Sequence, residues 1–125
     1  RTCIWAGRWK LEPRAVAMET LTPQRFQAVR IAEGASVPAS FPAKPADITI
    51  PARSKVRLVF DHGTTTTAFP ILEISGGKGA LIRMKYAEAP YLPGGLKSRD
   101  KGNRNEVAGK EFLGVYDEWL PNGGE

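Results

Sequence analysis

The sequence predicts an all-β fold, an antiparallel β-sandwich, on three observations. Of its 125 residues, 13 are glycine and 10 are proline, a turn-rich composition that suits short strands and disfavours a helical bundle. Apolar and polar side chains alternate over residues 55–60 and 80–86, which is the period of a half-buried strand. Segments of this kind recur at short intervals with turn residues between them, the pattern of a sandwich or barrel.

Residues 1–24 keep neither helical nor strand period and are interrupted by Pro13 and Pro23. They read as a linker or arm whose Trp5 and Trp9 pack on an apolar surface, since two indoles in water are costly. Residues 25–125 read as one domain. A first strand is expected from Phe26 to Ile31, then a loop over 33–46 marked by Gly34, Pro38, Pro42 and Pro45. Residues 47–50 are a short strand stopped by Pro51. Val56, Leu58 and Phe60 point to one face, and Lys55, Arg57 and Val59 to the other. Asp61-His62-Gly63 ends that strand.

The β-branched run Thr64 to Thr67 predicts another strand, continued by Leu72 and Ile74 to the turn Gly76-Gly77-Lys78-Gly79. Beyond the turn, Ala80, Ile82, Met84 and Tyr86 face inward and Leu81, Arg83 and Lys85 outward. The flanking strands therefore read as an antiparallel hairpin, with a crossover between sheets as the alternative. Residues 90–109 form a long polar loop, of a length often functional or mobile. Phe112 to Leu120 is the last strand, stopped by Pro121-Asn122-Gly123-Gly124.

The formal net charge is +5, but the basic residues are scattered and do not interleave with aromatics. That argues against a nucleic-acid partner. No apolar run reaches the roughly 18 residues of a membrane-spanning helix, so no membrane partner is expected. Arg1 opens the chain and no signal peptide is visible, as in a processed protein or a piece of a longer one. The single cysteine, Cys3, reads as a free thiol, and the single histidine, His62, as a turn residue. No His/Cys cluster suggests zinc. The string Gly76-Gly77-Lys78-Gly79 lacks phosphate-loop spacing and reads as a turn.

Asp61-His62-Gly63, Gly76-Gly77-Lys78-Gly79, Tyr86-Ala87-Glu88, Asn103-Arg104-Asn105, Tyr116-Asp117 and Pro121-Asn122-Gly123-Gly124 follow one another in this order. Order and spacing resemble the non-catalytic β-sandwich that precedes the catalytic barrel in α-L-rhamnosidases of glycoside hydrolase family 78. The upstream Trp9-Lys10-Leu11-Glu12-Pro13-Arg14 resembles the linker entering that sandwich, so the likeness covers residues 9–125. It implies a jelly-roll or concanavalin-like sandwich, an accessory domain that buttresses an (α/α)6 barrel or shapes the substrate approach. The parent reaction it implies is inverting hydrolysis of terminal α-L-rhamnosides, with the catalytic carboxylates in the barrel and no catalytic residue in this chain. A further family strand, rich in Phe, Trp and Arg, has no counterpart before Glu125, which implies a sandwich lacking its last strand. Such a parent fits a periplasmic or secreted setting; the residues leave the compartment open.

Two other readings stand beside this one: a carbohydrate-binding module, and a structural or interaction sandwich unrelated to sugars. The candidate sugar-contacting residues are Tyr91, Asn103, Arg104, Asn105 and Glu88. Tyr91 sits at the loop mouth and can stack on a sugar ring. Glu88 ends an inward-facing strand and can orient a hydroxyl or pair with Arg104. No resident cofactor is expected. Calcium is the one alternative, on the oxygens of Asp100, Asn103, Asn105 and Glu106, opposed by the charges of Arg99, Lys101 and Arg104.

Overall fold

The computed structural model describes residues 13–94, 97 and 99–124; Cys3, Trp5 and Trp9 lie outside them. The fold is all-β. Its strands are β1 (Ala28–Glu33), β2 (Arg57–Asp61), β3 (Ile82–Lys85), β4 (Pro90–Tyr91), β5 (Glu111–Phe112) and β6 (Tyr116–Trp119). They pair antiparallel in three two-stranded sheets, β1 with β2, β3 with β6 and β4 with β5.

The alternating segments are the ones that pair. Leu58, Val59 and Phe60 of β2 are half-buried, and in β3 Ile82 and Met84 are half-buried while Arg83 and Lys85 are exposed. The first strand begins two residues later than its composition suggests, at Ala28. Its register on β2 shifts between Val29 and Ile31, leaving Arg30 at a bulge. From there the Arg30 guanidinium spans two elements. Nη1 donates to Asp61 Oδ2 at 2.7 Å, and Nη2 donates to the Asn105 carbonyl. One side chain thus ties the β1–β2 sheet to the long polar loop.

Aromatic packing gathers at the same sheet. Phe26 stacks on Phe60 at 5.1 Å between centroids, Phe41 meets Phe60 edge-on at 5.6 Å, and His62 meets Phe26 edge-on at 6.4 Å. Arg25 lies 5.7 Å from the Phe41 centroid and donates to the Pro42 carbonyl. The Phe41–Pro42 peptide is cis.

Three expected features take another form. Residues 47–50 and 64–75 form no strand. The glycine turn does close, with the Ala80 N–H donating to the Gly77 carbonyl at 2.9 Å. It does not join two paired strands, however, because β3 pairs with β6 instead, placing Arg83 opposite Glu118 and Met84 opposite Asp117. The last strand is broken in two around Gly114, which passes so close to Tyr86 that an added Cβ would lie 1.7 Å from its carbonyl oxygen. Only glycine permits this crossing.

Ala89, Pro42 and Pro90 are the buried apolar residues among those described, and no side chain is fully enclosed. Phe69, Ile71, Val115 and Leu120 are 76%, 87%, 76% and 78% exposed. The chain exposes 11225 Å², whereas a compact protein of 13.6 kDa exposes about 6,600 Å².

Candidate functional site

The long polar loop is held by backbone bonds and by one lysine. The Leu92 N–H donates to the Asp100 carbonyl at 3.0 Å, which anchors the loop beside β4. Asp100 Oδ1 accepts from the Gly102 N–H at 2.8 Å, and Asn103 Oδ1 from the Asn105 N–H at 3.0 Å. Both are side-chain-closed turns, the usual use of Asp and Asn in loops. Asn103 Nδ2 in turn donates to Glu106 Oε1 at 3.1 Å. Lys110 is 7% exposed. Its ammonium donates to the Lys101 carbonyl at 2.8 Å and to the Asn103 carbonyl. A buried ammonium needs such acceptors, and here they are backbone oxygens of the loop itself.

Against this loop lies an open depression of about 540 Å³ lined by Tyr91, Arg99, Asp100, Lys101, Gly102 and Arg104. Three cations face one carboxylate. The Lys101 ammonium stands 5.2 Å from the centroid of the Tyr91 ring. Arg99 adopts φ 55°, a left-handed backbone conformation uncommon outside glycine, and this directs where its side chain leaves the loop. Among the described residues neither Arg99 nor Arg104 makes an ion pair.

Of the five candidate sugar contacts, the structure brings Tyr91 and Arg104 to the depression. Asn103 and Asn105 belong to the same loop but are not among the depression's lining residues. Asn103 is committed at both ends of its amide, and Asn105 lends its carbonyl to Arg30. Glu88 is exposed in the bend before β4, and no ion pair joins it to Arg104 among the described residues. The Tyr91 ring face is shared with the Lys101 ammonium, so stacking of a neutral sugar there competes with a cation–π contact. For the calcium alternative, Asp100, Asn103 and Glu106 each spend a side-chain oxygen on a hydrogen bond within the loop. Among the described residues no three His, Cys, Asp or Glu side chains converge as metal ligands.

Two contributions escape a reading of the residues alone. Arg99 and Lys101 are visible as charges, but their meeting with Tyr91 follows from the β4–loop bond. Lys110 carries no signal at all, since its burial depends on which carbonyls the loop folds over it.

Charge also organises the end of β2. The Asp61 carboxyl is held below its ordinary value chiefly by the hydrogen bond from the Gly63 N–H, with Arg30 adding to the effect and partial burial opposing it. His62 Nδ1 lies 3.3 Å from the Thr64 carbonyl, an acceptor, so Nδ1 carries the proton. Nε2 is buried and has no hydrogen-bond partner among the described residues.

In comparisons with known proteins, no family model, no curated protein and no solved structure matches the chain.

Proposed function

We propose that the chain is an accessory β-domain of an α-L-rhamnosidase-like glycoside hydrolase, seated against the parent's catalytic barrel. The observation that carries the reading is the uncovered apolar surface. Phe69 and Ile71 lie in the strandless run 64–75 and are 76% and 87% exposed. Covering those two alone is worth about 3–6 kcal/mol. That is a large part of the roughly 5–15 kcal/mol by which a domain is stable. Exposed apolar side chains of this size suit a surface that meets another protein surface. An accessory domain docked on a barrel supplies the cover, and a module acting alone does not.

The rhamnoside chemistry is implied by the ordered motifs, among which Tyr86-Ala87-Glu88 follows β3 and Tyr116-Asp117 opens β6. In the structure the two meet at the end of the β3–β6 ladder. Lys85 lies opposite Tyr116, and the Tyr86 hydroxyl donates to Asp117 Oδ2 at 2.8 Å. The motifs thus meet as a structural unit, in keeping with a supporting role.

The test is hydrolysis of p-nitrophenyl α-L-rhamnopyranoside by the full-length polypeptide that contains these residues, with the anomer released followed by NMR. Rhamnoside hydrolysis with inversion is expected, together with protection of residues 64–75 from hydrogen exchange. Absence of hydrolysis sinks the rhamnosidase assignment. The carbohydrate-binding module remains the second reading, favoured by the depression beside Tyr91. Sugar affinity that persists in the chain separated from its parent is what supports it.

A further inference from the structure

We infer that the depression beside Tyr91 receives the carboxylate of a uronate residue, so that the saccharide approaching the parent enzyme is acidic. The sugar in this assignment rests on the rhamnosidase reading; the charge rests on the lining alone. Arg99, Lys101 and Arg104 surround the depression, against the single carboxylate of Asp100. Arg99 and Arg104 spend neither guanidinium on an ion pair among the described residues. A planar guanidinium presents paired donors that match a carboxylate, and such charge-assisted bonds are about twice as strong as neutral ones.

The backbone that carries these basic residues is held in place. The buried Lys110 ammonium fixes the carbonyl of Lys101 at 2.8 Å and also binds that of Asn103, the residue before Arg104. The Leu92–Asp100 backbone bond places Arg99 and Lys101 beside β4. Tyr91 supports the same choice of ligand. With the Lys101 ammonium 5.2 Å from its ring centroid, a neutral sugar stacking on that face must displace the cation, whereas a carboxylate joins it. The tyrosine then supplies an apolar wall beside the charged group.

Isothermal titration of the full-length protein with digalacturonate, with its neutral counterpart digalactose, and with galactose 6-sulfate tests the site. Digalacturonate is expected to bind at least about tenfold more tightly than digalactose, with affinity falling as salt rises. Arg104→Ala and Arg99→Ala are each expected to weaken it about tenfold, the effect of losing one charge-assisted bond. Arg104 is exposed and makes no ion pair among the described residues, so its removal leaves the fold intact; Arg104→Lys, which keeps the charge, retains part of the affinity. Equal binding of the acidic and neutral disaccharides overturns the inference. So does indifference to both arginine substitutions. So does equal or tighter binding of the sulfate or of a single-stranded oligonucleotide, which reduces the site to general anion attraction. Hydrolysis of the neutral aryl rhamnoside separates the two readings. Hydrolysis without uronate binding sinks the acidic-sugar assignment alone. Uronate binding without hydrolysis keeps the site and sinks the rhamnosidase.

Discussion

Lys110 shapes the polar loop from beneath, because its buried ammonium is the common donor to two carbonyls eight residues or so away along the chain. Lys110→Ala leaves those oxygens without their charged partner and is expected to cost about 1–3 kcal/mol locally. The check is amide hydrogen exchange at Leu92 and Glu106, whose bonds to Asp100 and Asn103 span the loop. Exchange should quicken about tenfold or more, with Lys110→Met no better than alanine. Asp61 makes a pH prediction. Its folded pKa lies below the ordinary 3.8, so its contribution is complete above that value and is lost as pH falls through the folded one. Asp61→Asn removes the charge that Arg30 and the Gly63 N–H recognise, and should flatten the acid limb of a stability–pH curve below about pH 4. An unchanged acid limb in the variant would show that another carboxyl governs it. At this scale the residues were readable as types. Tyr91 and Arg104 were legible as site candidates from an aromatic and a guanidinium flanking one polar loop, but nothing local to Glu88 told that it would stand apart from Arg104.

At the scale of elements, strand identity and strand partnership separate. The alternation in 55–60 and 80–86 marks two strands, because period 2 puts one row of side chains on each face. It carries no information about which strand lies alongside. The Arg83–Glu118 pair, 2.6 Å apart, and the Tyr86–Asp117 bond belong to the β3–β6 register and join residues more than thirty positions apart. The ion pair faces solvent and serves register more than stability. Gly114 is the critical residue of this unit. Glycine-to-alanine changes stabilise a protein where the backbone tolerates them. Here the Cβ would lie 1.7 Å from the Tyr86 oxygen, so Gly114→Ala must part the strands and break the Tyr86–Val115 bond of 2.9 Å. A loss of about 1–3 kcal/mol is expected, read as faster exchange of the Tyr86 amide and weaker β3–β6 cross-strand NOEs. Stabilisation instead would mean that the crossing is looser than the contact distance implies. Runs 47–50 and 64–75 show the opposite case. Their β-branched and apolar residues suit strands, yet no strand among the described residues pairs with them, and β-propensity without a partner does not make a sheet.

For the molecule as a whole, the exposed apolar run is the feature that links structure to proposed role. Phe69→Asp with Ile71→Asp removes two apolar groups that are 76% and 87% exposed. The expected change in the chain's own stability is within about 0.5 kcal/mol, as for surface substitutions generally. The same double variant should bind less anilinonaphthalene sulfonate and, if the proposed docking holds, should lower the melting temperature of the full-length polypeptide. A variant that unfolds the separated chain would place these side chains in its own core and remove the docking argument. The residues by themselves determined that the chain is all-β, where its strands of clear period 2 lie, where its turns fall, and that Tyr91 and the Asn103–Asn105 stretch share one polar segment. These follow from local chemistry: side-chain alternation, β-branching, and glycine or asparagine where backbones turn. The tertiary structure alone decided that β3 pairs with β6, that Lys110 is buried beneath the loop, that Arg30 joins sheet to loop, and that Arg99, Lys101 and Arg104 line one depression with Tyr91. Each depends on contacts between residues far apart in sequence, whose free energy is set by what the folded chain brings together and not by what stands next to each residue.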